Sequence, residues 1–126
     1  MRLAARRDAI ASRPSKTGQE YPRGARIVRR ADFDAVYRNG KRRSSSHLTV
    51  FLKANDLPLS RFGFSIKRTL GGAVVRNRIR RRVREAIRLH RQEISAGWDF
   101  VIHPKASVQS AAFAALESDL LRLLKV

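Results

Sequence analysis

Hydrophobic positions are scattered before residue 27 and ordered after it. Residues 1–26 mix Arg2, Arg6, Arg7, Arg13, Lys16, Arg23 and Arg26 with Pro14, Gly18, Pro22 and Gly24. No period is sustained there, which predicts a flexible basic arm over 1–26 and one folded domain over 27–126. From Ile27 on, Phe33, Val36 and Tyr37 fall at i, i+3, i+4 spacing, with Asp32 near the start and Asn39-Gly40 as a stop. That pattern predicts a short helix from Ala31 to Arg38.

Alternation follows. Leu48, Val50 and Leu52 oppose Thr49, Phe51 and Lys53, and Phe62, Phe64 and Ile66 oppose Arg61, Gly63, Ser65 and Lys67. These are two half-buried strands, and the loop Ala54 to Ser60 between them predicts a hairpin. Extra pairing near Arg42 to Ser46 would add an edge strand. After Gly71-Gly72, Ile79, Val83, Ala86, Ile87 and Ile94 recur at helical spacing, so a central helix should run to near Gly97. Trp98 to His103 alternates and stops at Pro104, and Ser107 to Lys125 reads as a helix with Leu116, Leu120, Leu121, Leu123 and Leu124 on its apolar side. The expected order is α-β-β-α-β-α, with an optional further strand, in a single α+β domain containing a βαβ-type connection.

Charge changes the picture most. Lys and Arg number 28 against 10 Asp and Glu, a formal net charge of +18 on 126 residues. A domain this small carries that charge as self-repulsion unless a polyanion neutralises it. The arginine excess favours phosphate, to which a guanidinium donates bidentately, so RNA or DNA leads as partner. With no cysteine there is neither a disulfide framework nor a thiolate metal site. No apolar run approaches the roughly 20 residues that span a bilayer, so no membrane partner and a cytoplasmic setting are expected. Met1 to Ser15 shares its Arg and Ser content with organellar transit peptides, but a solvated basic tail is the better reading.

The central helix carries the chemistry. At about 100° per residue, Ile79, Val83, Ala86 and Ile87 fall on one side and Asn77, Arg80, Arg81, Arg84 and Arg88 on the other. Like charges at i, i+4 cost a helix about 0.2–0.5 kcal/mol per pair, and Glu85 is the one local acid. A row such as Arg80, Arg84 and Arg88 makes sense if phosphates occupy it.

The run Gly71-Gly72-Ala73-Val74-Val75-Arg76-Asn77-Arg78-Ile79-Arg80-Arg81-Arg82-Val83-Arg84-Glu85 closely resembles the signature helix of bacterial ribonuclease P proteins. Ala31 to Gly40 is similar to that family's first helix, Arg61 to Ile66 to the strand before the signature, and Trp98 to Ile102 with Pro104-Lys105-Ala106 to the strand after it. The resemblance spans about residues 27–125. It implies a two-layer α/β sandwich with a left-handed βαβ crossover, against the usual handedness. It also implies the non-catalytic protein subunit of a ribonucleoprotein endoribonuclease, whose catalytic ribonuclease P RNA removes the 5′ leader of precursor tRNA with Mg²⁺ bound chiefly by RNA and substrate. By resemblance, Arg76, Asn77, Arg78, Arg80, Arg81 and Arg84 contact that RNA. The leader lies in a cleft holding Phe33, Tyr37, Phe51, Ser65, Lys67 and Arg68. The family often has two consecutive lysines where this chain has Lys67-Arg68-Thr69, so which of Lys67 and Arg68 meets the leader stays open. Aromatic faces would stack bases without demanding a sequence, though Phe33 and Tyr37 at helical spacing also suit a core.

Other function classes fit less well. The acids are scattered, Asp32 and Asp34 point apart on their helix, and His47, His90 and His103 are too dispersed for a ligand motif. His90 continues the apolar face as a partly buried histidine. A self-sufficient protein nuclease is therefore not expected. A ribosomal-type structural binder shares the charge but not the motif run, and a DNA-binding module lacks a helix-turn before the central helix.

Overall fold

The computed structural model describes residues 26, 27 and 29–126; apart from Arg26, the arm expected over 1–26 lies outside the described residues. Helix α1 spans Arg30–Asn39, close to its expected bounds, and Gly40 ends it by donating its N–H to Val36 O at 2.8 Å. Strand β1 (Lys41–Ser44) is the edge strand that the sequence suggested, followed by β2 (Leu48–Ala54) and β3 (Arg61–Phe64). Then come α2 (Ala73–Leu89), β4 (Trp98–Pro104) and α3 (Phe113–Leu124). The molecule is a single α+β domain with a four-stranded mixed sheet. Among the described residues no helix is long and apolar enough to cross a membrane.

The expected hairpin does not form. The sheet order is β1-β2-β4-β3, with β4 antiparallel to β2 and parallel to β3. Phe100, Val101 and Ile102 are all fully buried. Three successive apolar residues need cover on both faces and a neighbour on each edge, which only an inner position supplies. The loop after β2 reinforces the insertion. Asn55 Nδ2 donates to Asp99 Oδ1 at 2.9 Å, and Trp98 N–H donates to Ser60 Oγ at 3.0 Å, tying both ends of the loop to the start of β4. The adjacent parallel pair β3 and β4, joined through α2, is the βαβ unit.

Register decides which side chains share a face. Phe51 pairs with Val101, Val101 with Gly63, and Thr49 with His103. Alternation therefore puts Leu48, Val50, Leu52, Phe62, Phe100 and Ile102 on one face, where Ile79, Val83, Ala86 and Ile87 of α2 and Leu116, Leu120, Leu123 and Leu124 of α3 cover them. Each buried Val, Leu, Ile or Phe among them stabilises the fold by about 1.5–3 kcal/mol. On the opposite face a smaller cluster of Ile27, Val36 and Val101, with Phe33 and Phe51 against it, seats α1 and leaves the rest of the sheet open. Ile27 N–H donates to Phe62 O at 2.9 Å, so residues 26–27 extend the sheet beyond β3.

Two helices are shorter than their patterns suggest. α2 ends at Leu89, and the apolar position continuing it, Ile94, is buried after a 3₁₀ turn, Arg91–Glu93. α3 starts only at Phe113, because Arg82 takes the preceding carbonyls. Its Nη1 donates to Val108 O (2.9 Å) and Gln109 O (3.2 Å), and its Nη2 to Ala111 O (2.6 Å). Those acceptors hold Ala106–Gln109 in a 3₁₀ turn.

Candidate nucleic-acid interface

The arginine helix leaves the sheet at a turn that only glycine can make. Gly71 has φ +145°, and a Cβ there would lie 2.8 Å from Val75 Cβ. From that start α2 buries Ile79, Val83, Ala86 and Ile87 completely. Asn77, Arg78 and Arg81 are exposed, whereas Arg76, Arg80, Arg84 and Arg88 are half-buried. The expected row is therefore two groups. Arg80 and Arg84 turn toward α1, lining a small pocket of about 170 Å³ with Arg26, Phe33, Gly63 and Phe64. The Arg84 guanidinium sits 5.8 Å from the Phe64 ring centroid, and Arg80 Nη1 donates to Asn77 Oδ1 at 2.8 Å. Arg88 is gripped by Glu85 through bonds of 3.0 and 2.6 Å, which pulls the Glu85 carboxyl below its ordinary range. Arg76 donates to Gly71 O at 3.2 Å, bracing the turn.

A second basic surface lies on the open part of the sheet. A groove of about 530 Å³ is lined by Arg42, Thr49, Phe51, Lys67, Thr69, Leu70, His103, Pro104, Lys105 and Ala106. Tyr37 flanks it, with its ring edge-on to Phe51 at 5.1 Å and its hydroxyl 2.9 Å from His103 Nε2. Lys105 Nζ donates to Ser45 O at 2.6 Å, fixing one bank. The side chains of Arg42 and Lys67 make no hydrogen bond or ion pair with any described residue, and no carboxylate lines the groove. Cations beside unstacked rings form a surface that tracks a single strand: phosphates on one side, bases on the other.

Of the residues expected in the leader cleft, the structure brings together Tyr37, Phe51 and Lys67. Phe33 is on the same sheet face, packed like Phe51 against the Ile27, Val36 and Val101 cluster but outside the groove lining, and its ring would lie 2.8 Å from a Cβ at Gly63, which makes it the bolt between α1 and β3. Ser65 is half-buried just beyond β3, its N–H donating to Ile102 O at 2.9 Å, and Arg68 is exposed on a 3₁₀ turn; neither lines the groove. Arg42, Thr49, His103 and Lys105 are the groove residues that the sequence reading missed. Thr49 and His103 are set side by side by the antiparallel pairing of β2 with β4, which the expected hairpin did not foresee.

The interface does not suit a divalent cation held by protein alone. Its lining is cationic and aromatic, and among the described residues no group of three or more His, Asp or Glu is placed to hold a metal ion.

The family model for ribonuclease P matches residues 21–126. The chain belongs to the ribonuclease P protein family. It is 40% identical over 108 residues to the ribonuclease P protein component of Desulfovibrio desulfuricans, covering 82% of this chain and 83% of that one. The corresponding protein of Clostridioides difficile is 32% identical over 107 residues, covering 84% of this chain and 94% of its own length. The ribonuclease P protein from Thermotoga maritima superposes with a TM-score of 0.74 at 32% identity, covering 79% of this chain and 94% of that structure. That from Staphylococcus aureus gives 0.71 at 27% identity, covering 80% and 93%.

Proposed function

We propose that this ribonuclease P protein binds two RNA elements at once: the ribonuclease P RNA along α2, and the single-stranded 5′ leader of precursor tRNA in the sheet groove. Family membership makes the chain the protein component of an endoribonuclease, working with RNA in a ribonucleoprotein that processes tRNA 5′ ends. Two basic surfaces of different character support the finer reading. Asn77, Arg78 and Arg81, with Arg76, Arg80, Arg84 and Arg88 beside them, form a guanidinium surface suited to the phosphates of a folded RNA. The groove is concave and edged with rings, which suits unpaired bases. On this reading the chemistry lies in the RNA subunit, with Mg²⁺ held by RNA and substrate phosphates.

The observation that carries the reading is the groove itself, where Tyr37, Phe51 and Lys67 meet with no acid among the lining residues. Cleavage of precursor tRNA by a bacterial ribonuclease P RNA, with and without the protein and with protein alone, is the test. Leader removal should require the RNA and be strongly enhanced by the protein, and precursor should bind the holoenzyme more tightly than mature tRNA. Equal binding of precursor and mature tRNA would remove the leader assignment, and cleavage by the protein alone would remove the assignment of chemistry to RNA.

A further inference from the structure

The arginines of α2 face two ways. Arg80 and Arg84 turn toward α1, whereas Arg78, Arg81 and Arg82, with Glu85, line a pocket of about 420 Å³ that Phe113 completes at the start of α3. That volume lies within the range of small-ligand sites. The pocket belongs to the helical layer, and the groove lies on the other face of the sheet.

Phe113 packs against the core yet is only half-buried. Its chain neighbours Ala112 and Ala114 are exposed and end at Cβ, so neither covers the ring. The Arg82 guanidinium stands over that ring, 5.9 Å from its centroid, locked by its bonds to the carbonyls of Val108, Gln109 and Ala111. Arg82 is therefore wall. Arg78 and Arg81, by contrast, are exposed and make no hydrogen bond or ion pair with any described residue. Glu85 is the one acid of the lining, and the bonds from Arg88 keep it ionised. Each carboxylate oxygen can accept a second bond.

These groups match a nucleotide whose base has left its helix: phosphates for Arg78 and Arg81, a face for Phe113 and a base-edge N–H for Glu85. A phosphate alone makes no use of the ring, and the Glu85 carboxylate repels it. We propose that the pocket binds one unpaired nucleobase of the ribonuclease P RNA, stacked on Phe113, with its flanking phosphates on Arg78 and Arg81. This rests on α2 being the face that meets the RNA subunit, and it adds register to that reading. A row of guanidinium groups accepts any run of phosphates, whereas one captured base fixes where on the RNA the helix sits.

The test is base-specific chemical probing of a bacterial ribonuclease P RNA, alone and assembled with the full-length protein. One unpaired base should be shielded by the wild-type protein and reactive with Phe113→Leu, which keeps apolar packing but removes the flat face, while hydroxyl-radical protection of the RNA backbone persists. Making that one nucleotide abasic should weaken assembly by about fivefold or more, the loss expected for a stacked base. Phe113→Leu should weaken it comparably, Phe113→Tyr should not, and abasic RNA with Phe113→Leu should bind no worse than with either change alone. Should Phe113→Leu not fold, Glu85→Ala, at a half-exposed position, supplies the comparison and should expose the same base. The proposal is overturned if no base is shielded by the wild type and released by the variant, or if the abasic and Phe113→Leu losses add. If the Arg78→Ala, Arg81→Ala double variant binds the RNA subunit as tightly as the wild type, the assignment of α2 to that RNA fails and the pocket with it. Weak binding by that double variant, with normal binding of Phe113→Leu, removes the pocket alone.

Discussion

Arg61 holds Asp99 across the parallel β3–β4 pair through two hydrogen bonds, Nε to Oδ1 at 2.8 Å and Nη2 to Oδ2 at 2.6 Å. Asp99 is 5% exposed, and Asn55 donates a third bond to it. Arg61 is partly exposed and keeps Asp32 at 3.7 Å, so removing Asp99 costs about 1.5–3 kcal/mol, the worth of the charge-assisted hydrogen bonds lost. Asp99→Ala should lower the urea midpoint accordingly without changing the salt dependence of RNA binding, since Asp99 is buried.

Two neighbouring arginines of α2 should separate stability from binding. Arg82 donates to three carbonyls before α3, whereas Arg81 is exposed. Charge-assisted bonds to buried acceptors contribute about 1.5–3 kcal/mol, so Arg82→Ala should destabilise by that order. Arg81→Ala should change stability by no more than about 0.5 kcal/mol and weaken binding to ribonuclease P RNA instead. Thermal melts beside filter binding on both variants provide the comparison.

Salt dependence counts phosphates. If Arg80 and Arg84 each neutralise one, the double alanine variant should flatten the slope of log affinity against log salt for the RNA subunit by about 1–2 units. An unchanged slope with weaker binding would mean that the pair acts through packing against Phe33 and Phe64.

Phe33 and Phe51 should behave oppositely. Phe33 bolts α1 to Gly63, so Phe33→Ala should cost about 3 kcal/mol of stability. Phe51→Ala should reduce the preference for precursor over mature tRNA while leaving RNA-subunit affinity intact. Denaturation and competitive precursor binding on both variants measure the two effects.

The junction of α2 and α3 should respond to pH. His90 Nδ1 lies 2.7 Å from Glu93 Oε2 and its Nε2 2.6 Å from Glu117 Oε2, so both nitrogens donate, as only the imidazolium can. The bond to Glu93, then that to Glu117, raises the His90 pKa above its ordinary 6.5. The folded value exceeds the unfolded one, so this stabilisation is complete below about 6.5 and is lost as pH rises through the folded value. Melting midpoints of wild type minus those of His90→Gln should shrink across that window, and a constant difference would refute the linkage.

Elements and their order were legible because α2, α3 and β2 carry strong periods in which each apolar residue had a core to face. The sheet order was not. A loop between two alternating strands looks the same whether they pair or a third strand enters between them, and the decisive sign was the unbroken run Phe100-Val101-Ile102. The arginine helix was legible as a cationic face because its charges have few local acids, but periodicity could not show that Arg82 is spent on carbonyls or that Glu85 holds Arg88. The groove was half legible. Tyr37, Phe51 and Lys67 came from resemblance, while His103 depends on a register between residues more than 50 positions apart, which no local pattern encodes.

The inner position of β4 also sets a timetable. β1, β2, β3 and α2 are all synthesised before it, yet β2 and β3 have no ladder between them until β4 pairs with both. Such non-local pairing is slow compared with helix formation. On the ribosome the arginine helix emerges before the groove can be completed, which waits until Thr49 meets His103. A nascent or truncated chain ending before residue 98 would carry the charged helix without the groove.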